Sequence, residues 1–213
     1  MIESNDLITH DTKTRILDAA EQLFADRGFE ATSLRLITET ADVNLAAVNY
    51  HFHSKDALIE AVLNRRILPL NRERLRLLAE AGSTLEDVIR AFMVPAVRAR
   101  QEGAPVARLI GRAYTDPCDS VRRGFFAQMR EVLAPFTEAF QRVLPDLPQD
   151  ELMWRIHFGV GVMAHTLAGS SHLSLMSQGK CDPSDTKGLL DRMVAFVAAG
   201  MRAPVPAVAG QGS

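Results

Sequence analysis

Cysteine is scarce in this sequence, and long hydrophobic runs are missing from it. The two cysteines among its 213 residues, Cys118 and Cys181, form no Cys-x-x-Cys pair and suggest no disulfide framework, which favours a reducing compartment. The most apolar run, residues 158–167, is too short to cross a membrane. Residues 1–11 carry acidic side chains and lack the apolar stretch of a secretory signal. We therefore expect a cytoplasmic protein without a membrane partner.

The chain also lacks an excess of positive charge. It has 24 Lys and Arg residues against 26 Asp and Glu residues, which gives a formal net charge of -2. Bulk charge therefore cannot hold this protein on the phosphates of nucleic acid. Any affinity for DNA has to come from a few well-placed groups, such as Lys13, Arg35, Lys55 and the N-termini of helices.

Patterns of catalytic and metal-binding residues are missing as well. No nucleophile stands at a telling distance from a base, and Gly159 and Gly161 follow no strand, so they form no nucleotide-binding loop. His157, His165 and His172 are too far apart along a helix to share one metal ion, although a site shared across a dimer remains an alternative. We predict no catalysis, no cofactor and no metal, and an enzyme of unrecognised kind is the weakest alternative.

What the sequence does contain is a pair of short capped helices near its start. Thr32 or Ser33 can cap the first helix, and Asn44 can cap the second. The second helix has about two turns, in which we expect Leu45 and Val48 to point inward. A helix this short is not stable alone. The pair is typical of a helix-turn-helix DNA reader, and an ordinary short helix in an all-helical protein is the alternative.

The outward face of the second helix is unusual for a solvated surface, because it carries no Glu or Lys. It offers small side chains, an amide, a phenol and an imidazole: Ala46, Ala47, Asn49, Tyr50 and His51. Asn can pair bidentately with adenine, and small apolar groups can contact thymine methyls. This face therefore suits the major groove of DNA.

The flanking segments strengthen this interpretation. Residues 11–28 predict a supporting helix, with Gly28 where a left-handed C-terminal cap belongs. Ser54 can cap the next long helix, which places Lys55 in its first turn. A cation is unfavourable there, but together with free backbone N–H groups it can hold one phosphate.

The segment ILDAAEQLFADRGFEATSLRLITETADVNLAAVNYHFHSKDALIEAV resembles the N-terminal domain of TetR-type bacterial repressors. Their pattern joins an A-x-x-L-F helix, a G-[FY]-x-x-[TS] turn and an [LIVY]-Y-x-[HY]-F-x-[SN]-K segment, and nearly every diagnostic position matches. The resemblance implies an all-α protein of about nine helices, with a three-helix reader over residues 11–55. It implies a DNA-binding domain over residues 11–71, a ligand-binding and dimerising domain over residues 72–203, and loose tails at residues 1–10 and 204–213.

The resemblance also assigns the residues that bind double-stranded operator DNA. The groove-facing positions are Asn44, Ala46, Ala47, Asn49, Tyr50 and His51. The phosphate-binding positions are Thr32, Ser33, Tyr50 and Lys55. We add Arg35 to the DNA-binding residues as one of the few placed cations.

Parts of both ends of the chain show a narrower similarity. The segments SLRLITETADVNLAAVNYHFHSKDALI, LMWRIHFGVGVMAHTLAG and FVAAGMRAP resemble the PsrA-like regulators, which answer to long-chain fatty acids or their acyl-CoA forms. Residues 83–147 do not share this similarity. The resemblance implies a fatty acid or acyl-CoA as the effector, and another apolar ligand is the alternative.

Beyond residue 71 the chain predicts helices throughout. Breaks are expected at residues 81–82, 103, 115–117, 144–145 and 180–183. A capping box is expected from Ser83 to Glu86. Pro95 and Pro135 fall inside helical patterns, so kinks should leave room between the helices.

The body is rich in Phe and Met, which suits an adaptable apolar cavity for an acyl chain. The residues predicted to line it are Phe92, Leu109, Arg112, Tyr114, Phe126, Met129, Trp154 and Phe158. A carboxylate or CoA phosphate could use Arg112 with Arg108, Arg122 and Arg123. The alternatives are a filled core without a ligand and a solvated arginine face paired with acids.

Small residues near the end of the chain suggest a homodimer. Those on one helix are Gly159, Gly161, Ala164, Ala168 and Gly169, and the apolar partners on the last helix are Leu189, Leu190, Met193, Val194 and Val197. Together they predict a two-fold four-helix interface. We therefore expect a homodimeric repressor that an apolar effector releases from DNA. A constitutive or partner-controlled DNA binder with no small-molecule site is the alternative.

Overall fold

The computed structural model describes residues 3–101, 105–168, 171–182 and 184–206. Within these residues the regular structure is entirely α-helical, as predicted. The ten helices are α1 (Glu3–Arg27), α2 (Leu34–Ala41), α3 (Leu45–Phe52), α4 (Lys55–Glu80), α5 (Leu85–Gln101), α6 (Val106–Thr115), α7 (Asp119–Val143), α8 (Gln149–Ala168), α9 (Ser171–Met176) and α10 (Thr186–Arg202). The six-residue α9 is the helix that the sequence pattern did not predict.

The N-terminal helices enclose a filled core. Phe24 of α1 and Phe29 after it lie with ring centroids 5.1 Å apart, and Ile37, Val48 and Phe52 are almost fully buried around them. α1 ends at Gly28, whose φ of +89° is the left-handed cap that the sequence predicts. We call α1, α2 and α3 with this core the reader, and the helices from α5 onward the body.

The two ends of the chain differ from expectation in one respect. α1 begins at Glu3, because residues 3–10 contain neither glycine nor proline to end a helix, so residues 3–10 are not the loose tail that was predicted. Residues 204–206 follow α10 without regular structure. The rest of the predicted tails, residues 1–2 and 207–213, lies outside the described residues.

Helix α4 joins the reader to the body and runs without a break through residue 71. Its first half buries Leu58, Leu63 and Ile67 in the reader core. Its second half places Leu75 and Leu78 against the core of the body. One continuous helix therefore belongs to both cores.

The predicted helix breaks agree with the structure at the ends of α4, α6 and α7. Two predicted break residues, Gly103 and Pro183, lie outside the described residues. The expected capping box is displaced by one residue: the Asp87 N–H donates to Thr84 Oγ1, and the Thr84 N–H donates to Asp87 Oδ2. Glu86 is instead bound by Arg202.

Three prolines lie inside the described helices. Pro95 and Pro135 lie within α5 and α7, as predicted, and Pro69 lies within α4. Each removes one backbone hydrogen bond from its helix. Among the described helices, none is both long enough and apolar enough to span a bilayer.

Candidate DNA-binding face and ligand cavity

Three side-chain caps fix the short helices of the reader. Ser33 Oγ accepts a hydrogen bond from the Leu36 N–H at 3.1 Å, and Asn44 Oδ1 accepts one from the Ala47 N–H at 2.9 Å. Ser54 Oγ caps α4 in the same way. The caps at Asn44 and Ser54 are as predicted, and Ser33 rather than Thr32 caps α2.

The turn between α2 and α3 is closed by a residue that the sequence analysis missed. Asp42 adopts the left-handed conformation with φ 51°. Arg15 of α1 donates to the carbonyl oxygens of Ala41 and Asp42, each at 2.6 Å. The guanidinium thereby satisfies carbonyl groups at the end of α2 and fixes the turn to α1. A charged residue inside an otherwise amphipathic helix gave no local signal of this role.

The exposed side of α3 carries most of the predicted groove-facing residues. Asn44, Ala46, Asn49 and Tyr50 are exposed, and Ala47 and His51 are half-buried. Tyr50 is the most open, with 73% of its surface accessible.

Leu45 belongs to this exposed side, against the expectation that it points inward. Half of its surface is accessible, whereas Val48 and Phe52 are buried. Leu45 is the first residue of α3, and side chains there are directed toward the helix N-terminus, past the neighbours that cover the rest of the helix.

The predicted phosphate-binding residues divide into two groups. Ser33, Arg35 and Lys55 lie at the surface or partly exposed, although Arg35 pairs with Glu39 and Lys55 Nζ donates to the Glu30 carbonyl at 3.3 Å. The position of Thr32 differs from the prediction of a phosphate-binding side chain. Its side chain is fully buried, and its hydroxyl donates to the Gly28 carbonyl at 2.7 Å, so it holds the turn rather than a phosphate.

His51 has a pKa below its ordinary value. Partial burial is the larger cause, and the charge of Lys13 on α1 adds to it. The imidazole is therefore neutral at physiological pH, with one nitrogen that donates and one that accepts. Its ring meets the Tyr50 ring edge-on, with centroids 5.1 Å apart.

The body encloses a cavity of about 320 Å³. Helices α4, α5, α6, α7, α8 and α10 all contribute to its wall, which is mostly apolar. Of the eight residues predicted for it, four are in place: Phe92, Tyr114, Phe126 and Met129. This cavity argues against the alternative of a filled core without a ligand. The body has open space where its aromatic side chains meet.

The other four predicted residues lie elsewhere. Leu109 is buried in the reader core. Arg112 donates to the carbonyl oxygens of Ala25 and Asp26 at the C-terminal end of α1, where a cation is favourable. Trp154 and Phe158 are each 60% exposed on the outer face of α8. Helical spacing alone did not distinguish the inner from the outer face of α8.

The polar part of the cavity wall comes from three arginines, one histidine, one tyrosine and one threonine: Arg74, Arg130, Arg155, His157, Tyr114 and Thr137. Arg155 pairs with Glu151 at 2.8 Å, and His157 Nδ1 lies 3.1 Å from the Tyr114 hydroxyl. Arg74 of α4 is 2% exposed and lies over the Phe92 ring, 4.3 Å from its centroid. The sequence gives no signal for this position of Arg74, because no neighbour in sequence shows that the body covers it.

The residues predicted for the dimer interface pack mainly within one chain. Met193, Val194 and Val197 of α10 are buried. A Cβ at Gly159 would lie only 3.2 Å from Val197, so this glycine lets α10 approach α8 of the same chain. Ala164 is buried as well, and nothing is described of the Ala168 side chain or of Gly169.

The outer face of α8 and α10 presents aromatic side chains instead. Trp154 and Phe158 stack with centroids 5.8 Å apart, and Phe196 of α10 is 69% exposed. Single exposed apolar residues are common, whereas several large exposed aromatic groups on two packed helices are typical of interaction surfaces. Within the described residues, no group of three or more His, Cys, Asp or Glu side chains is placed to hold a metal ion.

Two family models match the chain. The model of the tetR family of bacterial regulatory proteins matches residues 16–62, and that of the tetracyclin repressor-like C-terminal domain matches residues 90–200. The second match alone covers more than half of the chain. The chain belongs to the TetR family. Its relatives are transcriptional regulators rather than enzymes, which confirms the prediction of a non-enzymatic protein.

Among the relatives of this TetR-family chain is the probable HTH-type transcriptional regulator YttP of Bacillus subtilis (strain 168). The two are 42% identical over 53 residues, which are 25% of this chain and 26% of the relative. The chain thus matches about a quarter of the length of this curated relative.

Solved structures extend the similarity over almost the whole TetR fold. FadR from Bacillus subtilis in complex with stearoyl-CoA has a TM-score of 0.64 at 13% identity, over 88% of this chain and 98% of that one. AibR in complex with isovaleryl coenzyme A and operator DNA has a TM-score of 0.67 at 18% identity, over 87% and 97%. At these identities the likeness is one of fold.

Proposed function

We propose that this protein is a homodimeric, DNA-binding transcriptional repressor that works in the cytoplasm and leaves its operator when an apolar effector fills the body cavity. The observation that carries the proposal is the path of α4. This helix forms part of the reader core and part of the cavity wall, so a change at the cavity reaches the DNA-binding face through one continuous element.

The reader supplies a face that fits a major groove. Its base-reading residues are Asn44, Ala46, Ala47, Asn49, Tyr50 and His51, and Leu45 adds an apolar group for a thymine methyl. Ser33, Arg35, Tyr50 and Lys55 bind phosphates, whereas Thr32 supports the turn from inside. The DNA-binding domain corresponds to residues 11–71 and the effector-binding, dimerising domain to residues 72–203.

The effector is a long-chain fatty acid or its acyl-CoA form. The mostly apolar cavity wall built by Phe92, Phe126 and Met129 suits a hydrocarbon chain. FadR and AibR, whose folds this chain shares, form complexes with stearoyl-CoA and isovaleryl coenzyme A, respectively. The resemblance to PsrA-like regulators points to the same class of ligand.

The dimer forms through the outer faces of α8 and α10. Trp154, Phe158 and Phe196 would be covered there by a second copy of the chain. A two-fold dimer presents two readers to two half-sites one helical turn of DNA apart, which suits a chain with few placed cations because each is used twice.

Fluorescence anisotropy with the DNA upstream of the protein's own gene tests the proposal. We expect tight binding that oleate or oleoyl-CoA reverses at micromolar concentration. Tight binding that neither lipid reverses would favour the second candidate, a constitutive or partner-controlled DNA binder. Binding of equal strength to the upstream DNA and to a shuffled sequence would contradict base reading by α3 at that site.

A further inference from the structure

Arg74 is a buried cation without a counter-ion. Its partners are neutral: Nε donates to the Phe92 carbonyl at 3.0 Å, and Nη1 donates to Asn71 Oδ1 at 2.9 Å. Among the described residues, no carboxylate forms an ion pair with it. Burial lowers the pKa of Arg74 to about 10, which still leaves the guanidinium charged at neutral pH.

Arg155, the other deeply buried arginine of the cavity wall, has a counter-ion. Arg155 is 6% exposed, and its charge is balanced by Glu151 at 2.8 Å, while the carbonyls of Met201 and Ala203 accept from Nη1. An ion taken out of water is strongly unfavourable unless a counter-charge and hydrogen bonds replace the water. Arg155 has both, and Arg74 has only neutral hydrogen-bond partners.

Arg74 also faces the cavity. It lines the wall together with Phe92 and Met129, and the surrounding surface is mostly apolar. A charge is least screened in such surroundings, so an anion that enters the cavity would meet a stronger attraction here than at the protein surface. The cavity thus combines space for a hydrocarbon chain with one uncompensated positive charge on α4.

Building on the proposed effector cavity, we propose that Arg74 binds the carboxylate of the effector, which is a free fatty acid or similar anionic amphiphile. The carboxylate supplies the counter-charge that the fold omits, and a planar guanidinium offers paired N–H groups that match a carboxylate. The hydrocarbon chain then lies along the apolar wall.

A CoA ester would need its charged end elsewhere, because its phosphates are far from the acyl chain. Arg122, Arg123 and Arg130 line an open depression beside Phe126, and Arg130 also lines the cavity itself. These three arginines are exposed, and Arg122 already pairs with Asp119. Exposed charges are hydrated and screened by solvent. An exposed arginine is therefore weaker evidence for an anionic ligand than the buried Arg74.

The position of Arg74 links head-group binding to regulation. Its bond to the Phe92 carbonyl ties α4 to α5, and Asn71 beside it donates to the Gln128 carbonyl of α7 at 2.7 Å. A carboxylate that binds Arg74 competes with these bonds at the centre of α4's attachment to the body. The effector therefore acts directly on the helix that also builds the reader core.

Isothermal titration calorimetry with decanoate, 1-decanol and decanoyl-CoA tests this assignment on the full chain. Decanoate and decanol share a chain length and differ in charge. We expect the wild type to bind decanoate at least about 30-fold more tightly than decanol, as a lost charged hydrogen bond implies. Arg74→Met should remove this preference, and Arg74→Lys should retain part of it.

Arg123→Met is the matched control, because Arg123 is an exposed cation outside the cavity wall and its loss leaves Arg74 in place. It should leave the decanoate preference unchanged. The assignment is overturned by equal affinities of the wild type for decanoate and decanol, or by a preference that persists in Arg74→Met. Decanoyl-CoA binding that depends on Arg123 and not on Arg74, without decanoate binding, would place the charged end at the depression beside Phe126 instead.

The failures of the two proposals can be told apart. If decanol and decanoate bind equally, the apolar cavity stands and only the role of Arg74 is lost. If no ligand of the series binds, the effector cavity itself is refuted. If Arg74→Met does not fold, as circular dichroism would show, the wild-type comparison and Arg74→Lys still decide the question.

Discussion

The reader and the body are both all-helical, yet they are packed in opposite ways. The reader has no proline, its helices are capped by side chains, and its core is closed around Phe24 and Phe29. The body has prolines inside its helices, and with α4 it forms a cavity whose wall includes Arg74, a buried arginine with no counter-ion among the described residues. A base-reading surface needs fixed geometry, whereas a ligand site needs space that the ligand completes.

This difference predicts how each region gains its stability. The contacts that hold α3 in place come from α1, α2 and the first half of α4. If the proposed effector fills the cavity, its binding should raise the stability of the folded protein by mass action. The predictions below test this contrast, beginning with the largest expected effect.

The largest effect is expected from opening the reader core. Phe24→Ala should reduce the free energy of unfolding by about 3–5 kcal/mol, because it creates a cavity where packing is complete. The matched variant in the body, Phe126→Ala, removes a ring that is 51% exposed at an existing cavity and should cost less than about 1 kcal/mol. Urea unfolding followed by circular dichroism compares the two, and equal losses would refute the contrast.

Base reading and phosphate binding should separate within the reader. If the Asn49 amide contacts a base, as proposed, Asn49→Ala should cost about 1–3 kcal/mol on the operator and little on random DNA. Anisotropy titrations on both DNAs measure the ratio. Equal losses on the two would remove Asn49 from the base-reading set.

Lys55→Ala is the companion variant, and it should weaken binding to both DNAs alike. One phosphate contact fewer should lower the slope of log K against log salt by about one unit. A loss confined to the operator would contradict a phosphate role for Lys55.

The caps should contribute a smaller and purely local stabilisation. Ser54→Ala removes the acceptor for the Ala57 N–H at the start of α4 and should cost about 1 kcal/mol in unfolding free energy. Ser83→Ala is the control, because Ser83 is exposed and precedes the capping residue Thr84. Thermal unfolding midpoints should fall for the first variant and stay within error for the second.

The smallest effect should come from a surface ion pair. Arg202 donates to both oxygens of Glu86 and lowers the pKa of this carboxyl to about 2. A carboxyl with a lowered pKa stabilises the fold above its unfolded pKa, about 4.3, and loses that contribution as the pH falls toward 2. The difference in unfolding midpoint between the wild type and Glu86→Gln should therefore shrink from pH 6 to pH 2. A difference that stays constant would contradict the role of the pair.

Sequence reasoning succeeded where the signal is local. Asn44, Ser54 and Gly28 each act on backbone groups within a few residues, so their type and position were enough to predict the caps. The family resemblance supplied the order of the two regions.

Sequence reasoning failed where the position of a side chain depends on elements distant in the chain. Arg15, Arg74 and Arg112 look alike in sequence, yet one closes a turn, one faces the cavity and one binds the end of α1. Trp154 and Phe158 follow an apolar helical pattern, but the arrangement of α10 decides which face of α8 is covered. Helical spacing defines faces, and only the packed structure says what each face meets.

The length of α4 sets how far a small rotation is amplified. Arg74 lies 19 residues beyond Lys55, which is about 28 Å along the helix axis. A tilt of about 5° at the level of Arg74 would displace the start of α4 by roughly 2.5 Å at that distance. If two readers of a dimer move in opposite directions, their separation changes by about 5 Å against a groove repeat of about 34 Å. A rotation too small to disturb the packing of the body is thus large enough to move both readers away from the two half-sites on the DNA.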